Sequence, residues 1–169
     1  DLVSCSGLSN TIITVLSFNY GLGNKERSKE SIKYGVIDTL IVSLVITILF
    51  EIIASPLAKL FALSNTSSLE LIDVCEKAIR IASLGYIFMG FSVASQGVFQ
   101  ALRYSLKPLF TALLRLIIFV FPIAYLFTLS TNVMNIVWWT FPIAELLTAV
   151  ISMILLKEVI KKRINVMEN

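Results

Sequence analysis

Residues 17–35 read Ser17-Phe18-Asn19-Tyr20-Gly21-Leu22-Gly23-Asn24-Lys25-Glu26-Arg27-Ser28-Lys29-Glu30-Ser31-Ile32-Lys33-Tyr34-Gly35. Long apolar runs enter and leave this polar stretch. Asn19, Gly21, Gly23 and Asn24 break helices and admit left-handed backbone. Residues 24–33 then set four cations against two carboxylates. The pattern predicts a loop joining two membrane spans, with a basic charge that marks the cytoplasmic side.

The composition on either side supports that reading. The chain has 169 residues, 57 % of them hydrophobic and 15 % charged, and its mean hydropathy is +0.87. A soluble domain is about 45–50 % apolar and about 25 % charged. A net charge of +3 is accounted for by basic loops, so nucleic acid is not an expected partner; membrane lipid is. No histidine is present, which excludes histidine-based catalysis and ligation within the chain. No nucleophile–base pair, phosphate loop or metal cluster stands out, and an enzyme is not expected. Cys5 and Cys75 lack metal-type spacing; they are either ordinary buried thiols or, both near the outer face, a disulfide. The chain opens on Asp1 without a basic n-region, so no signal peptide is expected, and the start reads as a cut through a longer protein.

Five apolar segments are long enough, or nearly so, to cross a bilayer, which takes about 20 residues. They cover approximately 2–20, 36–55, 77–102, 108–129 and 135–156. The first is rich in Ser, Thr and Asn and suits the inside of a bundle. Pro56 suits a helix end, and 57–63 reads as a short amphipathic stretch at the interface. Residues 64–68 read as a loop, with Ser68 placed to cap a helix from Leu69. On the third span Ser83, Gly90, Ala94, Gly97 and Ala101 share one face, where another helix can approach closely. The basic loop 24–33, the basic turn 103–107 and the basic tail 157–163 alternate with an acidic connection at 51–76 and an uncharged one at 130–134. The expected arrangement is therefore an all-α membrane protein, multi-pass, with the C-terminus cytoplasmic.

A few polar groups fall inside the spans. Glu145 lies three residues after Pro142, which cannot donate to the Trp138 carbonyl and so exposes backbone polarity. A mid-membrane acid costs about 2.5–3.5 kcal/mol and faces a partner or water. Glu145 is either a proton or cation site or one half of an intramembrane ion pair with Arg115. Arg115, two turns into the fourth span, otherwise snorkels to the cytoplasmic interface. Asp38 and Glu51 sit where they can do the same. Gln96 and Gln100, one turn apart, either line a cavity or bridge helices. Pro122 and Pro142 predict kinks on consecutive helices. Trp138 and Trp139 suit the outer interface.

The segment 17–24 with Glu26 and Arg27 resembles the end of the eighth helix of MATE (multidrug and toxic compound extrusion) transporters, where Asn-Tyr-Gly leads into a basic cytoplasmic loop. Asn19, Tyr20, Gly21, Asn24 and Arg27 carry that likeness. Gly97-Val98-Phe99-Gln100-Ala101-Leu102 resembles the end of the family's tenth helix, Phe121-Pro122-Ile123-Ala124-Tyr125 its eleventh, and 137–145 its twelfth. There are departures. Arg103 stands where the family usually has Gly, and Asn135 replaces a frequent Gly. Span 84–102 contains none of the ion-binding carboxylates that many members place in the first, seventh or tenth helix.

The resemblance implies a bundle of about five helices, part of the C-terminal lobe of a twelve-helix, two-lobe transporter. It implies an antiporter in the plasma membrane that exports cationic or amphipathic drugs in exchange for H⁺ or Na⁺. Its partners would be the N-terminal lobe of the same transporter and small cationic substrates, with no cofactor beyond the coupling ion. By position, Gln96, Gln100, Pro122, Pro142 and Glu145 are the implied lining of the substrate cavity or ion path. Two other readings stand beside it: a lipid-linked oligosaccharide flippase of the same superfamily, and a truncated, non-transporting membrane scaffold.

Overall fold

The computed structural model describes residues 2–63, 69–129 and 133–167, and every regular element among them is helical. Leu2–Gly21 forms α1 and Lys25–Leu63 forms α2. Only residues 22–24 separate them. Gly23 takes φ +72°, and the N–H groups of Gly23 and Asn24 donate back to the Tyr20 and Asn19 carbonyls, each at 3.1 Å. This pair of bonds ends a helix by satisfying its last carbonyls. Asn24 then starts the next helix, its Oδ1 accepting the Arg27 N–H at 2.9 Å.

The basic stretch 24–33 is thus not a loop: it is helical from Lys25 onward. The two caps sit back to back, and Lys, Glu and Arg are good helix formers. Pro56 and residues 57–63 also lie inside α2, not at its end or beside it. In an apolar surround, continuing the helix satisfies more backbone groups than ending it. At 39 residues α2 is about 58 Å long, well over the roughly 30 Å of a bilayer's hydrocarbon core.

Leu69–Ala101 forms α3, the central helix, packed against α1, α2 and α7 (Thr140–Val159). Its stripe of small residues seats two helices, not one. Toward its start, Thr47 Oγ1 of α2 donates to the Ser83 carbonyl at 3.3 Å. A Cβ on Gly90 would overlap Ser43 Oγ and lie 2.8 Å from Ser43 Cβ. Toward its end the neighbour is α1: a Cβ on Gly97 would stand 3.1 Å from the Ser9 carbonyl, and Ser17 Oγ donates to the Ala101 carbonyl at 3.4 Å.

The end of α3 repeats the closure seen at Gly23, but with an arginine. Arg103 has φ +63°; its N–H reaches the Gln100 carbonyl at 3.0 Å, and that of Tyr104 reaches Phe99 at 2.8 Å. A left-handed non-glycine residue costs roughly 1–2 kcal/mol.

The fourth span is a rod of three pieces: α4 (Leu106–Leu113), a π-helical stretch (Leu114–Val120) and α5 (Phe121–Thr128). Pro122 lacks an N–H, and its ring would strike the carbonyl four residues back. The wider π turn absorbs this, with the Phe121 N–H bonding to the Leu116 carbonyl. The disturbance expected at Pro122 is therefore a change of helical register. The fifth span is also interrupted: α6 (Val133–Ile136), a 3₁₀ turn (Val137–Trp139), then α7 and a closing π turn (Ile160–Ile164). Pro142 falls in the first turn of α7, where a missing N–H costs little. The N–H of Thr140 turns back to the Val137 and Trp138 carbonyls, so the exposed backbone expected there is occupied.

The most deeply buried large side chains, Leu16, Val98, Phe99, Leu102, Val159 and Ile164, join α1, α3 and α7 at the basic end. The outward faces of α2 and the α4–α5 rod carry Ile41, Ile48, Leu109, Ile117 and Phe121, all exposed. That surface suits lipid, and α2, α3 and the rod are long and apolar enough to cross a membrane. Cys75 is a free thiol. The side chains of Cys5 and Asn135, the expected loop 64–68 and the centre of the turn 130–134 lie outside the described residues.

Candidate functional site

Arg115 leaves the π stretch of the fourth rod toward α7, and Glu145 leaves the second turn of α7 toward it. Arg115 Nη1 donates to Glu145 Oε1 at 3.3 Å. The side chains are 27 % and 15 % exposed. The other carboxylate oxygen, Oε2, is buried without a hydrogen-bond partner. Arginine and carboxylate can form two parallel bonds; here there is a single long one. Taking two charges out of water costs desolvation, which their attraction offsets only when the geometry is good and the remaining polar atoms are paired.

A cavity of about 230 Å³ opens beside the carboxylate, lined by Ala82, Gly85, Tyr86, Phe141 and Glu145. It lies where α3 faces α7: a Cβ on Gly85 would stand 3.4 Å from Pro142 Cα, at ordinary contact distance. Phe50 and Trp138 line an adjoining space that shares Ala82, Tyr86 and Phe141. Phe50 and Tyr86 meet edge to face with centroids 5.5 Å apart. Trp138 Nε1 and Thr140 Oγ1 are, like Glu145 Oε2, buried without a hydrogen-bond partner. The arrangement sets a carboxylate with one buried, unpartnered oxygen beside a largely aromatic cavity.

The other residues singled out from sequence do not join this cavity. Gln100 lies fifteen residues along α3 from Gly85, about 22 Å away at 1.5 Å per residue, and lines an opening at the basic end. Gln96 is half-buried one turn before it, and Pro122 is exposed on the outside of the rod. Asn19, Tyr20, Gly21 and Asn24 serve the turn between α1 and α2. The Asn19 amide donates to the Val15 carbonyl and to Ser31 Oγ, both at 3.0 Å. Arg27 lines a groove between α1 and α2 together with Glu30 and Asp38.

Two polar clasps were missed from sequence. Arg80 on α3 donates to Glu51 of α2 at 3.1 Å and to Glu76 at 2.9 Å, and Ser83 Oγ donates to Glu51 at 3.0 Å. Glu51 is therefore tied between helices and not extended to an interface. Glu76 and Arg80 are four residues apart, which was the visible signal. At the opposite end Lys107 Nζ holds Glu158 at 3.2 Å and Lys162 holds it at 2.6 Å. Hydrogen bonds from Lys162, then Lys107, keep the Glu158 carboxyl below its ordinary range.

The MatE family model matches residues 2–126 of this chain. The chain belongs to the MatE family. An inward-facing multidrug resistance MATE family transporter of the MOP superfamily is similar in structure, with a TM-score of 0.89 and 18 % identity, over 99 % of this chain and 38 % of that one. An outward-facing one gives 0.82 and 19 %, over 95 % and 36 %. At such identities the likeness is one of fold. No curated protein matches the sequence. The chain spans less than two-fifths of the transporters it matches, and it carries the expected all-α membrane-transporter bundle. Within that MATE bundle α3 is the hub, and the Arg115–Glu145 pair joins the fourth rod to α7.

Proposed function

We propose that this chain forms part of one lobe of a secondary antiporter, which exports cationic or amphipathic small molecules in exchange for H⁺ or Na⁺. The observation that carries this reading is the MatE match over residues 2–126, with a bundle that superposes on multidrug transporters facing either way. The rest of the transporter supplies the opposing lobe, and rocking of the two exposes the substrate to each side in turn. Lipid solvates the apolar faces of α2 and the fourth rod. The basic end faces the cytoplasm by the positive-inside rule, in a plasma membrane.

Glu145 is our candidate for the coupling step. One of its oxygens holds Arg115, the other is buried without a hydrogen-bond partner, and the residue lines the 230 Å³ cavity. A proton or cation arriving there competes with Arg115 for the carboxylate and loosens the tie between the fourth rod and α7. The test is efflux of a cationic dye by the intact protein in proteoliposomes under imposed H⁺ or Na⁺ gradients. Gradient-driven efflux by wild type that Glu145→Gln abolishes, at equal protein level, is the expected result. Efflux that survives the substitution returns Glu145 to tying helices, and no efflux by wild type under either gradient overturns the antiporter reading.

A further inference from the structure

Arg103 carries a long cationic side chain at a backbone position that glycine fills without strain. The same closure at the end of α1 uses Gly23 at φ +72°, whereas α3 uses Arg103 at φ +63°. Strain of this kind persists where the side chain has a use. Arg103 lines an opening of about 490 Å³ together with Ser17, Tyr20, Gln100 and Arg163. No carboxylate is among its lining residues.

The second cation is held in place. Arg163 leaves the closing π turn with its Cζ 5.3 Å from the centre of the Tyr104 ring, and it stands beside Tyr20. The acid five residues before it, Glu158, is occupied by Lys107 and Lys162 and does not neutralise the opening. Two arginines therefore line one space together with Tyr20. Guanidinium forks match phosphate oxygens two at a time. The opening lies where α1, α3 and α7 all reach the basic end of the bundle, the level at which lipid headgroups meet transmembrane helices.

We propose that Arg103 and Arg163 form a binding site for a phosphate group, supplied by the headgroup of an anionic lipid. The left-handed closure at Arg103 ends α3 with that residue on the lining of the opening, beside Arg163. Gln100, on the lining of the opening, lies about 22 Å along α3 from Gly85 of the Glu145 cavity, and the site is independent of the coupling role given to Glu145.

The test uses the intact protein in bilayers of phosphatidylglycerol and phosphatidylcholine, with native mass spectrometry counting the lipids retained. Wild type is expected to keep phosphatidylglycerol selectively. Arg103→Gly, which relieves the backbone and so folds at least as well, is expected to lower that retention about tenfold, and Arg163→Gln to act in the same direction. Lys161→Gln, a cation outside the opening, is expected to leave it unchanged. A second arm titrates inorganic phosphate alone. Phosphate binding that Arg103→Gly removes, without lipid selectivity, assigns the site to a free anion and overturns the lipid source. Equal retention of lipid and phosphate by wild type and Arg103→Gly overturns the site, as does a loss in Lys161→Gln as large as in Arg103→Gly.

Discussion

Arg115 reaches Glu145 with one nitrogen at 3.3 Å and leaves the second carboxylate oxygen buried and unpaired. The pair is thus a tie between two rods that is made but not saturated. Removing one partner strands the other. Because both groups retain some exposure, the cost falls below that of a fully buried pair. Arg115→Met should lower stability by about 1–3 kcal/mol, and Glu145→Gln by less, since the amide still accepts a bond. A double-substitution cycle read by thermal unfolding in detergent checks this. Additive losses would mean the contact is not formed.

Gly90 meets Ser43 where α3 crosses α2. Gly90→Ala should cost about 1–3 kcal/mol, the usual penalty for overpacking. Ser43→Gly in the same protein should recover part of it. Unfolding temperatures of the two single variants and the double variant decide the matter, and a double variant no better than Gly90→Ala would place the strain elsewhere.

Arg103 lies in the left-handed region, which disfavours side chains by roughly 1–2 kcal/mol. Glycine gives back part of that through its freer unfolded chain. Arg103→Gly should therefore raise stability by about 0.5–1 kcal/mol, and Arg103→Ala should not. A drop in melting temperature for the glycine variant would contradict the backbone geometry.

Glu158 has its carboxyl held below the ordinary 4.5 by Lys162 and then Lys107. A depressed folded-state pKa contributes stability that is present above the unfolded value and is lost as pH falls through the folded one. Stability should thus decline below about pH 4.5 as this clasp between α4 and the end of α7 protonates. Glu158→Gln should flatten that part of the profile between pH 5 and 3. Melting curves across that range, wild type against variant, give the comparison; parallel profiles would remove Glu158 from the acid response.

The sequence alone determined that this is a bundle of membrane-length helices, and the reason is the solvent. In lipid, every backbone group must be satisfied within its own segment, so apolar runs of about 20 residues have few alternatives to helix. The turn at Gly23–Asn24 was legible as a break, but its polarity made the following 24–33 look like a loop. The capping bond from the Arg27 N–H to Asn24 Oδ1 explains why it is not, and that signal is local enough to have been read. What only the tertiary structure decided are contacts between segments far apart in the chain. Ser83, Gly90, Gly97 and Ala101 share a face by spacing, yet nothing in that spacing says that α2 takes the first two and α1 the last two. Arg80 finds Glu51 across 29 residues; Arg115, a partner the sequence already offered for Glu145, reaches it across 30. Arg103 and Arg163 come to one opening from the ends of different helices. Helix formation depends on neighbours within about four residues, whereas the meeting of these side chains depends on how whole helices cross, which no local pattern records.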